Sequence, residues 1–96
     1  MKKIYITTPI FYVNDIPHIG HAYTSIICDT LNNFYKLMGY SVRFTTGTDE
    51  HGLKVEKAAK LSGESILEFV NKVSENFKTL TKTLQISNTD FIRTTE

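Results

Sequence analysis

Two histidines stand close together near the start of the chain, in the run His18-Ile19-Gly20-His21. Imidazole N–H groups can donate hydrogen bonds to phosphate oxygens as negative charge develops on them. Gly20 has no side chain and therefore lets a ligand approach the backbone closely. These residue types at this spacing predict a site for a phosphorylated ligand, with His18 and His21 as the reactive contacts.

Two other interpretations of these histidines stay open from the residues alone. Both rings can lie exposed in a loop, or they can belong to a metal site together with Asp15. A structural zinc site usually needs four ligands, and nearby donors are few. Cys28 is the only cysteine, which excludes an internal disulfide and a cysteine-based metal cluster. We therefore expect no metal site in the chain, and we expect Cys28 to be a small buried hydrophobic residue.

A second polar run extends from Thr46 to Gly52 and reads Thr-Gly-Thr-Asp-Glu-His-Gly. The carboxylate of Asp49 can pair with a cation such as an amino group. Alternatively, Asp49 or Glu50 caps the helix that follows, where the helix dipole favours a negative charge. The sequence leaves both roles open.

An apolar, partly aromatic loop precedes the histidines, from Pro9 through Ile10, Phe11 and Tyr12 to Val13. Loops usually lie on the surface and are polar, so an apolar loop needs a reason. One reason is a ligand pocket with aliphatic and aromatic walls. Ordinary core packing is an equally good explanation for Phe11 and Val13.

The secondary structure that positions these groups follows from the spacing of the apolar residues. Segments typical of strands alternate along the chain with segments in which apolar residues recur every three or four positions, as in helices. Glycines lie at several of the boundaries between them. The pattern predicts strands over 4–8 and 41–46 and helices over 20–38, 53–61 and 65–84, with no regular element in 88–96. Strand, helix and strand form a βαβ unit, which implies a parallel sheet and places both polar runs at its carboxyl edge. Two strands are too few for a stable parallel sheet, so the sheet looks incomplete.

The first predicted helix has a long apolar face. Apolar residues recur along it at helical spacing. The face consists of Tyr23, Ile26, Ile27, Thr30, Leu31, Phe34, Leu37 and Met38.

Composition limits the classes of function. A chain of 96 residues holds at most one domain, and a net charge of +1 gives no support for a strongly electrostatic nucleic-acid binder. The sequence contains no apolar stretch long enough to cross a bilayer. The first residues also lack the pattern of a secretory signal, so we expect a cytoplasmic protein.

The motifs together resemble those of a known family. The run from Thr7 to His21 resembles the first signature of methionyl-tRNA synthetases, and it includes the His-Ile-Gly-His motif of class I aminoacyl-tRNA synthetases. The run from Thr46 to Gly52 resembles a second block of the methionine enzymes. The ending from Asp90 to Glu96 is also similar to the family. The three blocks occur in order, and the resemblance covers essentially the whole chain.

This resemblance implies a fold and a reaction. Residues 1–96 would be the N-terminal part of the catalytic domain, an incomplete α/β unit with the βαβ start of a Rossmann-like parallel sheet. The family activates methionine with ATP to methionyl-adenylate and transfers the methionyl group to tRNA(Met) in protein synthesis. By the same resemblance, His18 and His21 would contact ATP and stabilise phosphate charge, and Gly20 would pack against its adenosine.

The resemblance also implies an amino-acid end of the site. Asp49 would hold the amino group of methionine, and Pro9, Ile10 and Tyr12 would help to form the methionine pocket. Mg²⁺ would accompany ATP. His51 lies in the second block, and the resemblance assigns it no role.

The chain also departs from the family pattern by omission. It contains no match to the second ATP signature, Lys-Met-Ser-Lys-Ser, or to the zinc-bearing insertion and the helical anticodon-binding domain. We therefore expect this chain alone to be inactive and to depend on the remainder of a synthetase, which also binds the tRNA. One alternative is another nucleotidyl transferase with a His-x-Gly-His motif. The other is a non-catalytic protein, either a truncated relic or a partner that binds another polypeptide through its sheet edge.

Overall fold

Short strands and longer helices alternate in the computed structural model, which describes residues 1–14 and 16–96. Asp15, and with it the interpretation of Asp15 as a metal ligand, lies outside the described residues. The strands are β1 (Lys3–Thr7), β2 (Phe11–Tyr12), β3 (Ser41–Asp49) and β4 (Asp90–Arg93). The helices are α1 (Ile19–Leu37), α2 (Leu53–Ser62) and α3 (Ile66–Thr83). The predicted α/β class with a parallel βαβ unit is confirmed.

Strand β3 is hydrogen-bonded in parallel to each of the other three strands. The carbonyl of Thr45 accepts from the Thr8 amide at 3.2 Å, whereas the carbonyl of Phe44 accepts from the Thr89 amide at 2.7 Å. Neighbouring carbonyls of a strand point to opposite edges. Strand β1 therefore lies along one edge of β3, and β4 lies along the other.

The prediction of only two strands is wrong. Strand β2 lies in the predicted loop, and β4 lies where no element was expected. With two and four residues, these strands are too short to show a period of their own. They become strands because the long strand β3 offers backbone partners on both of its edges.

Gly47 lies inside β3, which continues to Asp49, so the predicted end of this strand at residue 46 is also wrong. It stands opposite Ile92 of β4. A Cβ atom at Gly47 would lie 2.0 Å from the carbonyl oxygen of Ile92, which is far inside contact distance. The glycine therefore permits the close approach of β4 to β3.

Helices α2 and α3 form the hydrophobic core together with the segment that follows β2. Ser65 caps α3, because its Oγ accepts from the Glu68 amide at 3.2 Å. Gly63 ends α2 in the left-handed conformation, with φ at 76°. The buried core residues are Val13, Val55, Ala59, Phe69, Val70, Val73 and Phe77.

Helix α1 forms as predicted, but its apolar face is exposed. Tyr23 is 68% exposed and Leu37 is 89% exposed, whereas the polar residue Asn32 is fully buried. Asn32 is buried because its amide Nδ2 donates to the Ser87 carbonyl oxygen and hydroxyl at 3.2 and 3.0 Å. Cys28 is only half-buried, contrary to expectation. Burial is still enough to raise the pKa of its thiol.

Replacing Gly47 with alanine should destabilise the fold. The added methyl group would push Ile92 and β4 away from β3, and overpacking of this kind costs about 1 to 3 kcal/mol. Urea denaturation followed by circular dichroism would measure the loss. Ser41→Ala, at an exposed position of the same strand, is the matched control. Equal denaturation midpoints for the two variants would contradict this account of Gly47.

Candidate functional site

His18 and His21 cap the start of α1 with their own side chains. His18 is the N-cap residue, and its Nδ1 accepts from the Gly20 amide at 3.0 Å. His21 Nδ1 accepts from the His18 amide, also at 3.0 Å. The two ring centroids lie 3.9 Å apart. The capping geometry thus brings the two predicted phosphate contacts side by side.

This capping fixes which ring nitrogens can meet a ligand. A neutral imidazole that accepts at Nδ1 carries its proton on Nε2. Both rings therefore keep an Nε2–H donor free of the cap. The Gly20 amide already donates to His18 and is therefore not available to a ligand. At this position the start of α1 offers a ligand imidazole N–H donors instead of a backbone amide.

His21 is packed between aromatic rings. Phe11 and Phe77 each meet it edge-on, with centroid distances of 4.9 Å. Burial, and the repulsion that arises when His18 is also protonated, lower the pKa of His21, so its ring is neutral at pH 7. The spacing of apolar residues in α3 marks Phe77 as a core residue. Nothing in that spacing indicates that it supports His21.

Gly20 leaves space for the His18 ring. A Cβ atom at Gly20 would lie 2.9 Å from His18 Cε1 and 3.1 Å from its Nδ1. The glycine thus has a role within the chain itself, beside the expected contact with a nucleotide. That nucleotide contact remains a prediction.

A cavity of about 450 Å³ joins the two predicted groups of site residues. Ile10 and Tyr12 line it together with both histidines, whereas Pro9 and Asp49 are not among its lining residues. The full set of lining residues is Ile10, Phe11, Tyr12, Asn14, His18, His21 and Lys54. Lys54 was missed because a lysine in the first turn of a helix usually indicates a solvated surface.

Asp49 lies next to this cavity, opposite Tyr12 in the pairing of β3 with β2. Its backbone carbonyl accepts from the Val13 amide at 3.3 Å, and its Oδ1 accepts from the His51 amide at 3.4 Å. Within the described residues, no lysine or arginine forms an ion pair with its carboxylate. Asp49 can therefore bind an external ammonium group.

The interpretation of Asp49 or Glu50 as a helix cap is wrong. The N-cap of α2 is Gly52, and no side chain caps that helix start. Glu50 is 1% exposed and binds Arg93 with both carboxylate oxygens, at 2.7 Å each. The partner of Glu50 lies 43 positions further along the chain. Sequence patterns indicate only nearby partners, so the sequence suggested a local cap instead.

Burial by itself would raise the pKa of Glu50. Hydrogen bonds from Arg93, Thr48 and Thr95, together with the charge of Arg93, outweigh burial and hold this pKa below its usual range. Glu50 is therefore ionised at neutral pH. It is a structural carboxylate, with its oxygens already bound inside the protein.

Two negative findings apply to residues 1–14 and 16–96. No three histidine, cysteine, aspartate or glutamate side chains are grouped closely enough to hold a metal ion. Likewise, none of the helices in this part of the chain is sufficiently long and apolar to cross a membrane.

Comparisons with known proteins match the whole chain. The family model described as tRNA synthetases class I (M) matches residues 4–96. The methionine–tRNA ligase of Campylobacter jejuni is 55% identical over 92 residues, which are 96% of this chain and 15% of that protein. The corresponding ligase of Rickettsia conorii is 59% identical over 92 residues, again 96% of this chain and 18% of that protein. The chain thus spans less than a fifth of the length of these relatives.

A solved structure is similar at the level of the backbone. It is the Mycobacterium tuberculosis methionyl-tRNA synthetase in complex with methionyl-adenylate, and it is 47% identical in sequence. The match has a TM-score of 0.98 and covers 100% of this chain and 19% of that chain.

The environment of His21 makes a prediction for its titration. In an NMR titration of the chain, the His21 ring should titrate below the ordinary histidine value of about 6.5. His18→Ala should raise this pKa only in part, because burial is the larger cause and remains. His51→Ala removes the third histidine and should leave the midpoint unchanged. A His21 midpoint at or above the ordinary value would contradict the packing described here.

Proposed function

Because the chain belongs to the class I tRNA synthetases of the methionine group, we propose that it carries the ATP and methionine half-site of a methionine–tRNA ligase. Residues 1–96 then form the N-terminal part of its Rossmann-like catalytic domain. The main support is the cavity at which both histidines and the apolar residues Ile10 and Tyr12 meet. The similar M. tuberculosis enzyme was solved with methionyl-adenylate, which joins the same two ligand moieties.

The reaction has two steps. The carboxylate oxygen of methionine attacks the α-phosphorus of ATP, the bond to the β-phosphate breaks, and pyrophosphate leaves. The methionyl group then passes from the adenylate to the terminal adenosine of tRNA(Met), and AMP is released. Such steps need positioning and charge stabilisation more than covalent help from the protein.

His18 and His21 act at the phosphate end. Their Nε2–H groups donate to phosphate oxygens as negative charge develops, and Gly20 keeps the His18 ring in place. Losing one such donor typically costs about 3 to 4 kcal/mol of transition-state stabilisation. Lys54 at the same cavity adds positive charge near the phosphates.

The amino-acid end is apolar with one carboxylate. Asp49 binds the ammonium group of methionine, and Ile10 and Tyr12 line the pocket. Pro9 contributes as the residue that leads into Ile10, without lining the cavity itself. A thioether has no charge to bind, so the pocket must select by shape. Apolar pockets discriminate by about 1 to 3 kcal/mol per methylene group.

The remainder of the ligase completes the site. It supplies the second phosphate-binding signature and the main tRNA contacts, and it covers the exposed apolar face of α1. Mg²⁺ enters with ATP, bound to the phosphates. The cytoplasm, where aminoacyl-tRNA is consumed, is the compartment that fits this role.

Methionine-dependent exchange of pyrophosphate into ATP tests the proposal. It should be measured on the 96-residue chain and on a full-length form, in which this chain continues through the rest of the catalytic domain. Only the full-length form should exchange. His21→Ala should lower its rate by two to three orders of magnitude, the usual effect of removing one donor to a developing charge.

Lys57→Ala, an exposed substitution on α2 away from the cavity, is the control and should keep full activity. Activity of the full-length form with another amino acid but not with methionine would refute the pocket assignment at Ile10, Tyr12 and Asp49. Absence of exchange with every amino acid would favour the non-catalytic alternative.

A further inference from the structure

The end of β3 is held by the last residue of β4 and the two residues that follow it. These residues, Arg93, Thr94 and Thr95, are here called the β4 clamp. Arg93 binds both carboxylate oxygens of Glu50, and Thr95 Oγ1 donates to Glu50 Oε1 at 2.8 Å. Thr94 Oγ1 accepts from the Glu50 amide at 2.8 Å, and the Thr94 carbonyl lies 3.2 Å from His51 Nε2. The clamp thus fixes both residues that follow Asp49.

The ion pair inside this clamp is buried. The Glu50 side chain is 0% exposed and that of Arg93 is 18% exposed. Removing two charges from water costs free energy, so such a pair usually stabilises a fold no more than well-packed apolar residues would. Its bidentate geometry, in contrast, allows only one arrangement of the two side chains. Arg93 also donates to Asn71 Oδ1 of α3 at 2.6 Å, so the arrangement is fixed relative to the core.

This arrangement bears directly on Asp49. Thr48 Oγ1 donates to Glu50 Oε2 at 2.7 Å, so the side chains of residues 48 and 50 lie on the same side of the chain. Because side chains alternate along a strand, the Asp49 side chain at the end of β3 is directed to the opposite side. The Asp49 carbonyl accepts from Val13 on the β2 side, and its carboxylate accepts from the amide of His51. Asp49 is therefore held from one sheet edge by β2 and from the other by the clamp.

We propose that Glu50 and Arg93 are positioning residues for the amino-acid end of the site. Through the β4 clamp they fix the direction in which Asp49 presents its carboxylate to the ammonium group of the substrate. The inference rests on the proposed function, because it takes Asp49 as the ammonium-binding residue. The clamp does not touch substrate itself.

The inference predicts a selective kinetic effect. His18 and His21 are held by their own cap and by aromatic packing, and neither is hydrogen-bonded to Glu50 or Arg93. Loosening the clamp should therefore weaken the binding of methionine and spare that of ATP. Asp49 contacts a group that is charged both before and during the reaction, so KM should rise while kcat changes little.

Glu50→Gln in the full-length form is the main test, with KM for methionine and for ATP measured by pyrophosphate exchange. We expect KM for methionine to rise about tenfold and KM for ATP to stay within about twofold of its wild-type value. The reason is that the variant weakens a contact that methionine makes equally in the ground state and the transition state, whereas the contacts to ATP are unchanged. Asp90→Asn is the matched control. Asp90 pairs with Arg43 at 2.9 and 3.0 Å and also joins β4 to β3, but at the other end of the pairing.

Thr95→Val supplies a milder variant in case Glu50→Gln does not fold. It keeps the shape of the side chain and removes one hydrogen bond to Glu50, so KM for methionine should rise by a smaller, still selective factor. Arg93→Lys keeps the charge but loses the bidentate geometry. It should raise KM for methionine more than Thr95→Val does and less than Glu50→Gln does.

The outcomes separate the two proposals. If the wild-type enzyme is active but Thr95→Val and Arg93→Lys leave KM for methionine unchanged, the inference about the clamp is overturned. The proposed function would still stand. If Glu50→Gln raised KM for methionine and KM for ATP equally, and Asp90→Asn did the same, the Glu50–Arg93 pair would have only a general structural role. That result would also overturn the inference about the clamp. Wild-type enzyme without methionine-dependent exchange would overturn the proposed function and, with it, this inference.

Discussion

The pairing of β3 with all three other strands is the constraint on which the rest of the structure depends. One edge of β3 carries β1 and β2, which bring the apolar loop to the cavity, and the other edge carries β4, which brings Arg93 to Glu50. The second edge is open to β4 only because Gly47 has no side chain. The absence of a Cβ atom at Gly47 thus favours the close pairing of β4 with β3, the strand pairing that brings Arg93 next to Glu50.

The two ends of the site are held by different kinds of interaction. At the proposed phosphate end, local hydrogen bonds within one helix turn orient both imidazoles, and aromatic rings from β2 and α3 support His21. At the proposed amino-acid end, contacts between residues far apart in sequence orient a carboxylate. The first arrangement depends on the start of α1, and the second depends on the completed sheet.

The parts of the fold that sequence predicted are those with local causes. The helices follow from apolar spacing, and the ends of α2 and α3 follow from Gly63 and Ser65, whose effects extend over one turn. Strands β2 and β4 were missed because they exist only through β3. The role of Glu50 was misjudged for the same reason, since its burial depends on Arg93. Local motifs made His18, His21 and Asp49 candidate site residues, whereas Phe77 and Lys54 come next to the histidines and the cavity only through folding.

The exposed apolar face of α1 also has a consequence for the chain in solution. Monomeric proteins rarely expose a large continuous apolar surface, because two such surfaces tend to associate and exclude water. A net charge of +1 gives almost no long-range repulsion to oppose that contact. The exposed face of α1 therefore favours self-association of the 96-residue chain, and charged substitutions on this face should reduce it.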